Sequence, residues 1–152
     1  MYRKLLLITL ATTSFSALSA GTDNYTARDL RLTIPVTSTE RNQVLYEMRD
    51  LLHGMVNLHA ALAKEDFKGA AIAARTMGPL FNKLPTSVKS RAPDEFSQLG
   101  IAMRESFEAL AKEAETKGTV SGVQALLSES MTYCSGCHDT YRFEVRSKIA
   151  KK

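Results

Sequence analysis

The pentapeptide Cys134-Ser135-Gly136-Cys137-His138 is the feature that most constrains this chain. Cys-x-x-Cys-His is the signature of covalent haem attachment, in which two thiols add to the vinyl groups of haem and form thioethers. The imidazole next to the second thioether can then ligate the iron from the proximal side. Because the chain has only these two cysteines, we predict one haem c, attached through Cys134 and Cys137, with His138 as axial ligand.

Three other interpretations of the motif are a zinc site, a thioredoxin-like redox pair and a plain disulfide. A structural zinc site needs two further Cys or His ligands, and none stands at matching spacing. A thioredoxin-like pair follows a strand within a βαβ pattern, whereas this motif lies near the end of a helical run. The sequence therefore favours haem, and a disulfide is the alternative that chemical analysis must test.

The N-terminus is typical of a secretory signal peptide. Arg3 and Lys4 precede an apolar run over 5–11, and small residues follow as far as Ala20. This order predicts export followed by cleavage, and the apolar run is too short to span a bilayer. We expect a signal peptide over 1–20 and a mature protein that works in the periplasm, because bacteria attach haem to such cysteines outside the cytoplasm.

The charge balance gives no basis for a polyanionic partner. The formal charge of the whole chain is +4, and loss of the two basic residues within 1–20 lowers it to +2. So small an excess argues neither for nucleic acid nor for an anionic membrane. About 130 residues remain, enough for one domain with one core.

The mature chain has four amphipathic segments after an irregular N-terminal segment over 21–37, in which the apolar stretch 33–36 is too short to predict a strand. In these segments apolar residues recur three and four positions apart, as on one face of a helix. A capping box at Thr37 and Glu40, a cap at Asp66 and a stop at Gly118 set the boundaries. The predicted helices cover about 38–64, a segment from 66 interrupted at Gly78-Pro79, 94–117, and about 119–149, within a haem domain over 38–152.

The fourth predicted helix decides where a haem would lie. Positions three and four apart share a helix face, so both cysteines and the histidine would project into the core. Four helices with short links predict an all-α, antiparallel four-helix bundle with haem attached to the C-terminal helix. The predicted inward positions of that helix are Val123, Leu127, Met131, Cys134, Cys137, His138, Tyr141, Val145 and Ile149.

These features together resemble the cytochrome c′ family. The string Cys-Ser-Gly-Cys-His-Asp-Thr-Tyr-Arg over 134–142 is similar to that family's haem-binding stretch, and the resemblance extends from about residue 38. It implies a monohaem bundle in which Arg142 lies near the proximal side of the haem, where it could pair with a propionate. It also implies a possible homodimer through the first two helices. Arg41 has a similar potential role, and solvent exposure is the alternative for both arginines.

The other face of the iron separates two kinds of family member. In one kind, an apolar side chain of the first helix leaves the iron five-coordinate and able to bind nitric oxide or carbon monoxide. In the other, a methionine of that helix completes a His/Met site suited to electron transfer. We predict Met48 as the sixth ligand because it lies on the inward stripe in the first half of the helix. Leu45, one turn earlier, is the rival, and an ordinary core role is the alternative for Met48.

Two histidines remain as weaker candidates. His53 and His59 are about 240° apart around a helix, so they cannot share a site, and His53 alone would allow bis-His ligation. No distal His/Arg pair with peroxidase-like spacing is visible in the sequence. We therefore predict a monohaem electron carrier that serves periplasmic redox partner proteins and is not an enzyme. The alternative is a five-coordinate haem protein that binds nitric oxide.

Overall fold

The computed structural model describes residues 29–116 and 118–147. The predicted signal peptide over 1–20 and the predicted helix end at Ile149 lie outside the described residues. The order of elements is β1 (Leu32–Val36), α1 (Ser38–Leu62), α2 (Phe67–Met77), a 3-10 helix (Gly78–Lys83), α3 (Thr86–Lys89), α4 (Asp94–Thr116), α5 (Val120–Thr140) and β2 (Tyr141–Val145).

Side-chain caps begin the long helices where the sequence predicts. Thr37 and Glu40 form the predicted capping box before α1, with hydrogen bonds of 3.2 and 2.8 Å. Asp66 before α2 and Thr119 before α5 each accept a hydrogen bond from an amide three residues on. Gly118, after α4, has a φ of 56°, a conformation that glycine adopts without steric cost. Local chemistry therefore fixes these boundaries.

The predicted interruption at Gly78-Pro79 is confirmed. The α-helix α2 ends at Met77 and continues as a 3-10 helix, because proline cannot donate the next helical hydrogen bond. The connection that follows also contains the short helix α3, which the sequence did not indicate.

The four long helices form the predicted bundle. The pairs α1–α2, α2–α4 and α4–α5 pack closely, whereas α1 and α5 hardly touch each other. The core is made mainly of alanine, leucine, methionine and phenylalanine side chains from all four helices. The helices therefore pack closely on three sides of the bundle. On the fourth side, α1 and α5 approach each other less closely. No helix in the described parts of the chain is long and apolar enough to cross a membrane.

One segment that is predicted to be irregular and one that is predicted to be helical contain strands, so both predictions are wrong. The segment over 21–37 contains β1, and the last helix ends at Thr140 instead of continuing toward Ile149. The strand β2 pairs with β1 in parallel, from Leu32 opposite Tyr141 to Val36 opposite Val145. The alternation in Tyr-Arg-Phe-Glu-Val has a period of two, yet its first and last residues also fit a helical stripe. The sequence could not separate these patterns, because the deciding partner strand lies far away in the chain.

Some residues predicted on inner faces are exposed. The exposed fractions are 62% for Leu52, 37% for Leu45 and 51% for Met131. These residues belong to α1 and α5, the two helices that hardly touch. The charged residue Glu47 is instead 1% exposed, with a hydrogen bond of 2.6 Å from Gln43 to one carboxylate oxygen.

A second apolar cluster closes the end of the bundle where α1 begins and α5 ends. The ring of Phe96 lies at its centre, with centroid distances of 5.6 Å to Phe81, 5.3 Å to Tyr141 and 6.0 Å to Phe143. The cluster also contains buried residues of β1, α1 and α3. It therefore fixes the position of the chain immediately after the Cys-x-x-Cys-His motif.

A polar network holds the same end together. The side chain of Arg91 donates to the carbonyl oxygen of Pro35 at 2.9 Å and to Glu40 at 2.7 Å. Ser87 donates to the other carboxylate oxygen of Glu40. The hydrogen bond from Arg91 is the main reason why the pKa of Glu40 falls to about 2. The network joins the connection after α2 to β1 and to the first turn of α1.

Candidate haem-binding cleft

A cleft of about 310 Å³ opens between the first turns of α1, the end of α5 and the strand β2. It brings together the side chains of Cys137 and His138 from α5 with those of Leu45 and Met48 from α1. Its size lies within the range of small-molecule sites, which are mainly apolar with a few polar groups. Its remaining lining residues are Arg31, Arg41, Val44, Phe81, Leu84, Phe96, Tyr141, Arg142 and Phe143.

The two cysteines lie on one face of the last turns of α5, as predicted. Both are half-buried free thiols, and Cys134 packs against the main core while Cys137 lines the cleft. Burial raises the pKa of both thiols, and repulsion from a thiolate at Cys134 would raise the pKa of Cys137 further. The thiols are therefore protonated at neutral pH, unlike the low-pKa thiolates of redox-active cysteines.

The proximal candidate His138 is exposed in the last turn of α5. His138 lines the cleft, and its main-chain carbonyl oxygen accepts a hydrogen bond of 3.2 Å from Arg31. The imidazole can thus reach a group in the cleft while it remains open to solvent.

The structure brings both distal candidates to the cleft. Met48 is half-buried and packs against the second apolar cluster, whereas Leu45 is more exposed. His53 instead lines a separate groove between α1 and α2, with Asp50 and Asn57. Placing His53 there removes the support for bis-His ligation.

Whether the residues of the cleft fit a haem depends on the polar side chains at its rim. The guanidinium of Arg142 pairs through Nη1 with Glu144 at 3.2 Å, but its Nε atom is buried without a hydrogen-bond partner and lies 3.8 Å from Oδ2 of Asp29. Buried N–H donors are nearly always paired, so this atom has capacity for an acceptor such as a propionate oxygen. Arg41 lines the same cleft and forms no ion pair with another residue that the structure describes. Apolar walls and a cationic rim suit a flat apolar ring with acidic edge groups.

Sequence analysis missed one of the rim residues, Arg31. Its guanidinium forms a two-pronged ion pair with Asp29, with distances of 2.9 and 2.8 Å. The hydrogen bond from Arg31 is the main reason why the pKa of Asp29 falls to about 2. The alternation of Leu32, Ile34 and Val36 could have indicated a strand. Pairing of that strand with the segment after α5 would have placed Arg31 beside the end of this helix.

Comparison with known proteins gives one match. The family model described as Cytochrome C′ matches residues 39–142. The comparisons with curated proteins and with solved structures gave no match. The matched span runs from the first turn of α1 to Arg142, so it includes the haem motif and both distal candidates. It excludes Arg31 and most of both strands.

Proposed function

Because the chain belongs to the cytochrome c′ family, whose members bind a covalent c-type haem, we propose that this c-type haem protein is a periplasmic electron carrier. The proposal assigns Cys134 and Cys137 to the thioethers and His138 to the axial position. The observation that carries it is that one cleft receives the haem motif from α5 and Met48 from α1.

The chain's own residues have distinct tasks in this proposal. Each thiol would add across one vinyl group, with its sulfur bonding to one vinyl carbon and its hydrogen to the other, so that both thioethers would be neutral. Their half-buried positions then keep the attached group against the bundle. A bound haem supplies the one-electron iron(III)/iron(II) couple.

Met48 is the proposed sixth ligand. Its helix is fixed by the capping box, and neighbouring Val44 is buried in the second apolar cluster. A thioether held on so constrained a helix needs little movement when the iron changes its charge. Thioether ligation also raises the reduction potential. Both properties suit a protein that exchanges electrons with periplasmic redox partner proteins.

Arg142 and Arg41 are proposed to hold the propionates. Support comes from the unpartnered buried Nε of Arg142 and from the place of Arg41 in the cleft lining. A guanidinium can donate two parallel hydrogen bonds to one carboxylate. Such contacts would orient the ring and neutralise its acidic edge.

A second candidate function is nitric oxide binding by five-coordinate iron. The specific observation in its favour is that Leu45 lines the same cleft from the same helix as Met48, one turn nearer the start of α1. An apolar residue there would leave the sixth position without a protein ligand.

The deciding experiment is the visible spectrum of ferrous holoprotein with and without carbon monoxide. We expect a low-spin spectrum that carbon monoxide changes slowly or not at all. A high-spin spectrum with rapid binding of carbon monoxide would favour the nitric oxide function. Cell fractionation tests the periplasmic location separately.

A further inference from the structure

The main-chain carbonyl of His138 lies where α5 loses its own hydrogen-bond pattern. The last carbonyl groups of a helix have no intrahelical donors. At Tyr141 the chain becomes extended, with φ of −121° and ψ of 148°, and its amide donates to Cys137. The residue after it, Arg142, already belongs to β2. The carbonyl oxygen of His138 accepts a hydrogen bond from Nη1 of Arg31, at 3.2 Å.

Arg31 is itself firmly held. Its main-chain amide, Nε and Nη2 all donate to the carboxylate of Asp29, at 3.1, 2.9 and 2.8 Å. Two nitrogens of the guanidinium are thus occupied, and Nη1 points to the end of α5. The strand pairing of Leu32 with Tyr141 begins one residue later, so the main chain is also fixed beside this contact.

We infer that Arg31 is a positioning residue for the iron ligand, which it orients by holding the main-chain carbonyl of His138 at the end of α5. This rests on the proposed axial role of His138. A positive group at a helix C-terminus also interacts favourably with the helix dipole. Arg31 therefore limits the movement of the turn that carries the imidazole. Arg31 lies outside the span that matches the family, immediately before β1.

The test measures the iron–imidazole contact directly. Holoprotein labelled with ¹⁵N-histidine is examined in the ferric state by pulsed electron–nuclear double resonance, which reports the hyperfine coupling of the ligating nitrogen. The variants are Arg31→Ala, Arg31→Lys and Asp29→Asn. The matched control is Arg146→Ala, which removes the same charge from a residue that pairs with Glu144 at 3.2 Å.

We expect Arg31→Ala to shift and broaden the nitrogen coupling, because the imidazole takes up several orientations. Arg31→Lys keeps the charge and one donor, so it should return the coupling toward the wild-type value. Asp29→Asn should produce a smaller shift in the same direction as Arg31→Ala, and Arg146→Ala should match the wild type. If Arg31→Ala yields no holoprotein, Asp29→Asn and Arg31→Lys still test the role of Arg31.

Two negative outcomes have different meanings. If the wild-type protein has a coupled histidine nitrogen and all the Arg31 and Asp29 variants share its value, the role of Arg31 is overturned. If wild-type holoprotein has no coupled histidine nitrogen, His138 is not the axial ligand, and both proposals fail.

Discussion

Met48 and His138 enter one cleft from α1 and α5, two helices that otherwise hardly touch. The cleft between these helices is therefore bordered by Met48 on α1 and by His138 on α5. Side-chain packing alone would favour closing such a gap, because buried apolar surface stabilises a bundle. A cleft bordered by these two residues is the arrangement expected of a bundle that holds a ring between its helices.

Haem attachment should require both thiols. Cys134→Ala and Cys137→Ala each remove one thioether, and the double variant should lose covalent haem entirely. Intact-mass spectrometry of periplasmic wild-type protein should show the polypeptide plus one haem that acid–acetone does not extract. An extractable haem, or a disulfide between the two cysteines, would sink this prediction.

The same double variant should fold poorly. Without haem the cleft leaves the apolar side chains that line it exposed, and cavities or exposed core surface of this size cost several kcal/mol. That loss is comparable with the whole stability of a small domain. Thermal unfolding followed by circular dichroism should show a broad transition. A cooperative transition at the temperature of the holoprotein would contradict the prediction.

Met48→Ala should remove the sixth ligand. We expect loss of the near-infrared methionine–iron band of the ferric protein, a lower reduction potential and rapid binding of carbon monoxide. The control Leu45→Ala removes an apolar side chain from the same cleft and should leave all three properties unchanged. If Met48→Ala leaves the spectrum unchanged and native protein already binds carbon monoxide rapidly, the iron is five-coordinate.

Glu40 should stabilise the protein in a pH-dependent way. Its pKa falls from 4.5 to about 2 in the folded protein, first because of the hydrogen bond from Arg91. A lowered pKa means that the stabilisation is complete above the unfolded value of 4.5 and is lost as the pH falls toward about 2. Glu40→Gln should therefore lower the free energy of unfolding at pH 7 by about 1–3 kcal/mol.

The difference between Glu40→Gln and wild type should shrink as the pH falls from about 5 to about 2, measured by denaturant unfolding of the holoprotein. Glu129→Gln, at an exposed position of α5, is the matched control and should stay within about 0.5 kcal/mol of wild type. A difference for Glu40→Gln that is constant across this pH range would show that the carboxylate charge does not matter.

Gly100→Ala should disturb the wall of the cleft. A Cβ atom at this position would overlap the ring of Phe81, which lines the cleft. Overpacking of this kind costs about 1–3 kcal/mol, and the displaced ring should alter the haem absorption. Gly78→Ala is the control, because a Cβ there would have its nearest neighbour at 3.5 Å. Equal stability of the two variants would contradict the expected overlap.

The sequence predicts those parts of the fold that local chemistry decides. The caps at Thr37 and Asp66 and the break at Pro79 depend on residues within a few positions and lie where predicted, and α5 begins close to its predicted start near residue 119. The strands could not be predicted in this way, because the positions of Tyr141 and Val145 fit both a helical stripe and a strand. Only the distant pairing with β1 decides between them.

The candidate site likewise contains residues that the sequence can indicate and residues that it cannot. The Cys-x-x-Cys-His motif is contiguous, so its residues could be proposed directly, and the helical period places Met48 on the face of α1 that lines the cleft. Arg31 was missed because it reaches His138 only through the strand pairing. The choice between Met48 and Leu45 depends on the depth of the ring in the cleft, which a helical period cannot supply.

The pairing of β1 with β2 also has a consequence for the order of assembly. If the chain is exported as proposed, it would cross the membrane progressively, so β1 would reach the far side first and β2 only after the whole bundle had emerged. Contacts between segments so distant in sequence form late, because a long loop must close first. The wall of the cleft contributed by β2 is therefore completed last. In the proposed function, the motif on α5 would then remain accessible for haem attachment until β2 pairs with β1, and this pairing would hold the attached group in the cleft.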